Sequence, residues 1–234
     1  VSARHQTAVA ACPVRTGAGA PSLRYPATLL AVYAAWWLAL AIGPLYRQDW
    51  LLENVLVLVA VPVFVATAHR LRFSDLAYTA LFAFLVLHTV GAHYTYSEVP
   101  YDRWFEAVAG RPLNEVLGWQ RNHYDRLVHF AYGLLVTPAA VELYAAVAPP
   151  RGRWRWSLPL LFVCSHSLLY ELVEWAAAVA FGGDLGVAYL GTQGDPWDAQ
   201  KDMALATLGA VLAVALLVAL EAVRRRRRAA AGGR

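Results

Sequence analysis

The chain reads as an all-α membrane protein: a six-transmembrane-helix bundle, N-in/C-in, with an external loop between spans three and four. Three observations carry that reading. Hydrophobic residues make up 59% of the 234 and charged residues 15%, against about 25% charged in ordinary soluble domains. The apolar residues form blocks of about 20, the length a helix needs to cross the hydrocarbon. The basic residues are unevenly shared between the breaks separating those blocks.

The first 25 residues are polar and acid-free and read as a cytoplasmic tail, because the charge–apolar–small order of a signal peptide is missing. Six spans follow, at about 26–46, 51–69, 75–93, 123–147, 157–181 and 200–222. The breaks are "RQDW", "RLRFS", a long segment from Tyr94 to Asn122, "PPRGRWRW" and "GGDLGVAYLGTQGDPWD". The transmembrane unit is taken as 26–223, followed by a basic cytoplasmic tail over 224–234. Inside the long external segment, 101–108 is amphipathic, with Arg103 and Glu106 on its polar side, and suits the outer interface.

With six spans both termini share one side. That side collects Arg4, Arg15, Arg24, Arg70, Arg72, Arg151, Arg153, Arg155, Arg224 to Arg228 and Arg234, which is 14 of the 20 basic residues. The positive-inside rule makes it cytoplasmic. The run "RRRRR" directly follows a span, so it reads as an anchor on anionic headgroups and not as a nucleic-acid tail. The expected partners are membrane lipids, with no nucleic acid. Cys12 and Cys164 lie far apart and form neither a disulfide framework nor a zinc motif.

Topology sorts the ionisable groups by depth. His88 falls in the outer third of span three and His93 at its outer end. Asp125 and His129 occupy the first turns of span four. Glu171 and Glu174 lie in the outer half of span five, above His166, and Asp198 and Asp202 open span six. Four helices thus bring acids or imidazoles to one level, where intramembrane charge faces a bundle interior or a wet cavity. Asp125/His129 and Asp198/Asp202 are spaced i, i+4, and Glu171/Glu174 i, i+3, so each pair shares a face. Mixed carboxylate and imidazole ligands from several helices are how bundles hold divalent metals. The metal candidates are His88, His93, Asp125, His129, Glu171, Glu174, Asp198 and Asp202; the catalytic candidates are Glu171, Glu174 and His129. No other cofactor is implied.

The same residues have structural uses. Asp195, Asp125 and Asp198 suit helix N-termini, with Asn122 as a second cap. Arg126 and Lys201 suit ion pairs with nearby acids, so the whole constellation also reads as a static polar network. Glu142 and Glu221 lie where snorkelling to water is expected. Gly91, Gly133 and Gly209 read as close-packing points between helices.

The blocks "HTVGAHYTYSEVPYDRW", "RNHYDRLVHFAYG", "ELVEWAAA" and "LGTQGDPWDAQKDMALATLGA" resemble the YjdF-like bacterial inner-membrane proteins of unknown function over about residues 30–220. "DRLVHFAYG" and "WDAQKDMALATLGA" are also similar, more weakly, to VanZ-like proteins, which are associated with resistance to teicoplanin-type antibiotics. These resemblances imply architecture and an envelope location, and no reaction.

Three function classes fit. One is a lipid-headgroup or lipid-linked-substrate site, holding a divalent metal and open to the outer leaflet. Another is a small transporter or proton-coupled carrier, which the lack of an inverted repeat disfavours. The third is an assembly protein whose polar cluster is static. No G-x-S-x-G elbow, phosphate loop, dinucleotide fingerprint or lipid-phosphatase pattern is present.

Overall fold

The computed structural model describes residues 22–232. The N-terminal tail expected over 1–25 lies almost wholly outside them, as do Cys12 and His5. The helices are α1 (Arg24–Leu40), α2 (Arg47–Thr67), α3 (Asp75–Tyr94), α4 (Tyr101–Ala109), α5 (Leu113–Leu117), α6 (Tyr124–Val147), α7 (Trp154–Phe181), α8 (Gly183–Leu190) and α9 (Asp198–Gly232). No strand occurs among the described residues.

Five of these, α2, α3, α6, α7 and α9, are long and apolar enough to cross a membrane. The first expected span stops short. Gly43, at φ +62°, and Pro44 follow its end, so α1 has 17 residues instead of reaching position 46. At about 1.5 Å per residue it is about 25 Å long, against the ~30 Å of hydrocarbon. Two other boundaries moved. "RQDW" is not a break but the first turn of α2, and α9 runs on as helix through the basic run to Gly232.

Side chains are distributed as lipid demands. Small residues fill the interfaces: Ala77, Ala92, Ala131, Ala140, Ala206 and Ala210 are buried, while Leu58, Val63, Leu169 and Val173 face outward. The tightest packing is between α6 and α9. A β-carbon at Gly133 would collide with the Ala206 carbonyl, and one at Gly209 with the Phe130 carbonyl. Thr137 on the same seam donates its hydroxyl to the Gly133 carbonyl at 2.6 Å. Without a hydrophobic force between helices in lipid, such backbone approach is what holds them together. Helix α3 packs against α6, and α7 packs against both members of the pair.

The ends opposite the acid-rich one are tied by polar contacts. Ser74 caps α3, accepting from the Ala77 amide at 3.3 Å, and its own amide and hydroxyl donate to the Glu142 carboxylate of α6. Glu142 therefore bridges two helices where snorkelling to water was expected. Glu221 accepts from Arg155 at 2.9 Å, joining α9 to α7.

Candidate functional site

The starts of α2, α6 and α9 and the ends of α3 and α7 meet at one end of the bundle. Helix α6 begins at Tyr124, whose amide donates to Asn122 Oδ1 at 2.9 Å; Asn122 closes the turn before the helix, while the cap position itself is His123, which makes no side-chain capping bond. One turn in, His129 Nε2 lies 3.5 Å from Asp125 Oδ1 on its own helix and 3.5 Å from Glu171 Oε1 on α7. Asp202 reaches in from α9. One ligand atom each from Asp125, His129 and Asp202 lie within 4.8 Å of one another. Asp202 is 2% exposed and Glu171 9%, and Glu174 is also buried. Asp202 Oδ1 and Glu171 Oε1 are buried without a hydrogen-bond partner. Leaving a buried carboxylate oxygen bare is costly, and such groups are normally paired, protonated or bound to a metal. Two carboxylates and an imidazole, with a third carboxylate beside them, are a donor set suited to Mn²⁺, Zn²⁺ or Fe²⁺.

Asp198, one turn before Asp202, is engaged differently. It accepts from Arg121 Nη1 at 2.6 Å and Nη2 at 3.3 Å, and from Arg126 Nη2 at 3.0 Å. Arg126 and Lys201 both also reach Asp195. Arg121 additionally donates to the carbonyls of Gly191 and Thr192, pinning the segment before α9. These five residues form an ion-pair layer over the end of the bundle.

The remaining two imidazoles sit apart from Asp202. His88 Nε2 faces the Glu53 carbonyl at 3.2 Å, and its Nδ1 accepts from the Tyr96 hydroxyl. A carbonyl only accepts, so Nε2 carries the proton and both ring nitrogens are committed. His93 donates from Nδ1 to the Leu40 carbonyl at 2.7 Å, closing the turn after α1. Tyr170 donates to Glu53 Oε2 at 2.8 Å, and Thr95 to Asp49 Oδ2 at 3.2 Å. Between this group and the Asp125/His129 pair lies a cavity of about 50 Å³, bordered by His88, Tyr96, Asp125, His129, Ser167 and Tyr170 among others.

The sequence profile of the family described as "Predicted membrane protein (DUF2238)" matches residues 25–222. The chain belongs to this family. The inner membrane protein YjdF of Escherichia coli (strain K12) is 38% identical to it over 175 residues, covering 73% of this chain and 78% of the relative. No solved structure matches. Every acid and imidazole described above falls within the stretch that defines the DUF2238 family.

Several polar residues of this DUF2238 chain escape a reading by span. Asp49 and Glu53 are buried in the first turns of α2. Their i, i+4 spacing, the same as Asp125/His129, is the signal that marks them. Arg121 stands in the loop before α6, and nothing in the sequence announces that it binds an acid 77 positions away.

Asp195 does not itself cap α9, which starts three residues later. Its Oδ1 accepts from the Trp197 amide at 3.0 Å and closes the turn before the helix. The Lys201 ammonium, then that amide and Arg126, hold its carboxyl well below the usual carboxylate range. A depressed carboxyl contributes stability above its unfolded value, near 3.8, that is lost as pH falls towards the folded one. Asp195→Asn should therefore melt below the wild type at pH 6, with the gap narrowing as pH falls below about 4. A gap that stays constant across that range would show that the Asp195 charge is not what matters.

Proposed function

We propose that this protein is a six-span inner-membrane protein, both termini cytoplasmic, that holds a divalent cation in the outer half of its bundle and acts there on the headgroup of an envelope lipid or lipid-linked substrate. The observation that carries the proposal is that two buried carboxylate oxygens around His129 make no hydrogen bond: Asp202 Oδ1, and Glu171 Oε1, which lies 3.5 Å from His129 Nε2. Charge balance supports it. Arg121, Arg126 and Lys201 are bonded to Asp195 and Asp198. Among the described residues, the only ion-pair partner of Asp125 and Glu171 is His129. A divalent ion held by Asp125, His129 and Asp202, with Glu171 alongside, compensates the acids that the arginines leave uncovered. Such an ion would polarise a phosphoryl or carbonyl oxygen or activate water. The basic-residue asymmetry supports an orientation with the acid-rich end outside. Glu171 and Glu174 are the carboxylates available as a base beside the ion.

The ion-pair layer of Arg121, Arg126, Asp195 and Asp198 favours a second reading, in which the entire cluster only locks helix packing. Metal analysis separates the two. Protein purified in detergent should carry a divalent metal, or bind Mn²⁺ after chelation. Asp202→Asn and His129→Ala should each weaken Mn²⁺ by at least about 10–100-fold, the loss seen even for the outer partners of metal ligands. Stable wild-type protein that takes up no metal, with variants that lose about 3–5 kcal/mol, would select the static network.

A further inference from the structure

At the end of the bundle opposite the acid-rich one, the first turns of α1 and α3 and the last turns of α2 border a second cavity, of about 270 Å³. Two tyrosines hang α1 on α3: Tyr25 Oη lies 2.6 Å from Thr79 Oγ1, and Tyr33 Oη 3.2 Å from Thr89 Oγ1. Further along, α1 is tied to α2, where the Trp37 indole donates to Asn54 Oδ1 and the Trp37 and Trp50 rings lie 5.4 Å apart. Towards Leu23 the same two helices leave a wedge between them, walled by Leu30, Tyr33, Val61, Phe64, Val65 and Leu81 among others. The wall is almost wholly apolar, and Leu30, Phe64 and Val65 are exposed, so the groove is open on one side.

Left empty, such a groove forfeits dispersion contacts along its whole wall, and an apolar cavity of about 150 Å³ already takes up benzene. Depth decides the occupant. The lining runs from Leu23 to Tyr33 on α1 and from Tyr78 to Leu85 on α3, which is about 10–15 Å at ~1.5 Å per residue. That is no more than one leaflet, half of the ~30 Å hydrocarbon. Helices α2 and α3 are long and apolar enough to cross a membrane, so what reaches an apolar groove along them is an acyl chain. Charge selects the headgroup. Arg24 follows Leu23 in the first turn of α1, and His69 and Arg70 follow Ala68 at the end of α2; all three are exposed. One acid, Asp75, begins α3 at this end. Basic residues at the mouth of a pocket between spans attract the phosphates of anionic lipids. We propose that this groove is a binding site for one anionic phospholipid, with an acyl chain between α1 and α2 and the phosphate on Arg24 and Arg70. The site is separate from the acid-rich end and stands whether or not a cation binds there.

The test is native mass spectrometry of the full chain in detergent, with phosphatidylglycerol and phosphatidylcholine of identical chains as probes. The wild type should retain one phosphatidylglycerol per chain and bind it at least about tenfold tighter than phosphatidylcholine, the preference that two basic residues confer. Arg24→Gln combined with Arg70→Gln should bring the two lipids within about twofold of each other. Ala27→Trp, on the groove wall, should weaken phosphatidylglycerol by at least about tenfold with both arginines in place, the equivalent of two buried methylenes. Equal affinity of the wild type for the two lipids, an unchanged preference in the double variant, or a folded Ala27→Trp protein that binds as before overturns the site. So does a wild type that is a lipid-free dimer, which assigns the groove to a second copy. Should Ala27→Trp not fold, phosphatidylglycerol with a photoreactive diazirine in its chain is crosslinked to the wild type instead. Labels in 22–33, 61–68 or 78–85 support the groove, and labels confined elsewhere overturn it.

Discussion

Gly133→Ala should lower the stability of the protein by about 3 kcal/mol, at the upper end of what overpacking a filled interior costs. The reason is where α6 crosses α9. A β-carbon at Gly133 meets the Ala206 carbonyl and the Ala210 amide, and one at Gly209 meets the Phe130 carbonyl. Those atoms are backbone inside regular helices, so no side chain can swing away. The helices must separate, and the buried alanines along the seam, Ala131, Ala206, Ala210 and Ala213, lose contact together. Gly209→Ala should behave alike. Gly110 supplies the control. It ends α4 at φ +80° with open space around it, so alanine there meets only the left-handed backbone penalty of about 1–2 kcal/mol. Thermal melts of the three variants in one detergent make the comparison. If Gly133→Ala melts with the wild type, the α6–α9 seam is not as close as described.

Arg121→Met should cost about 3–5 kcal/mol, the usual penalty for stripping one partner from a buried ion pair. The Arg121 side chain is 13% exposed, and its guanidinium spans Asp198 and the carbonyls of Gly191 and Thr192. Its removal leaves Asp198 to Arg126 alone, which Asp195 already shares. Two carbonyls before α9 also lose their donor. Pairing the change with Asp198→Leu should recover much of the loss, because the bare charge then disappears as well. Added salt should have little influence, since buried pairs are screened far less than exposed ones. A single variant as stable as the wild type would mean that water, not protein, surrounds this layer.

The sequence makes the acid-rich end of the bundle legible through spacing. Asp125 and His129, Asp198 and Asp202, and Glu171 and Glu174 each repeat at a helical interval beside a hydrophobic block, and alternating span direction brings them to one end. Spacing does not tell which of them meet. Asp198 and Asp202 share a face, yet the first turns towards Arg121 and the second towards His129. That division depends on a cation from a distant loop. Helix starts were hidden for a related reason. A hydropathy reading treats "RQDW" as a break because Arg47 and Asp49 are charged, but Asp49 is buried against Thr95 and the helix begins there. Helix α8 was invisible because "GGDLGVAYLG" carries four glycines. Its formation depends on contact with α7, where Gly186 allows approach to the Ala178 backbone. Glycines at helix crossings were legible because a small residue inside an apolar block has few other uses.

Helix α9 is one uninterrupted rod of 35 residues. At about 1.5 Å per residue it measures about 52 Å, so some 20 Å extend beyond a ~30 Å hydrocarbon layer. Asp198 and Asp202 stand at one end of that rod and the five consecutive arginines Arg224 to Arg228 towards the other. No proline or turn between them acts as a hinge. The carboxylate end and the arginine end therefore belong to one element, and the distance from Asp202 to Arg224 is fixed for as long as that helix stays intact.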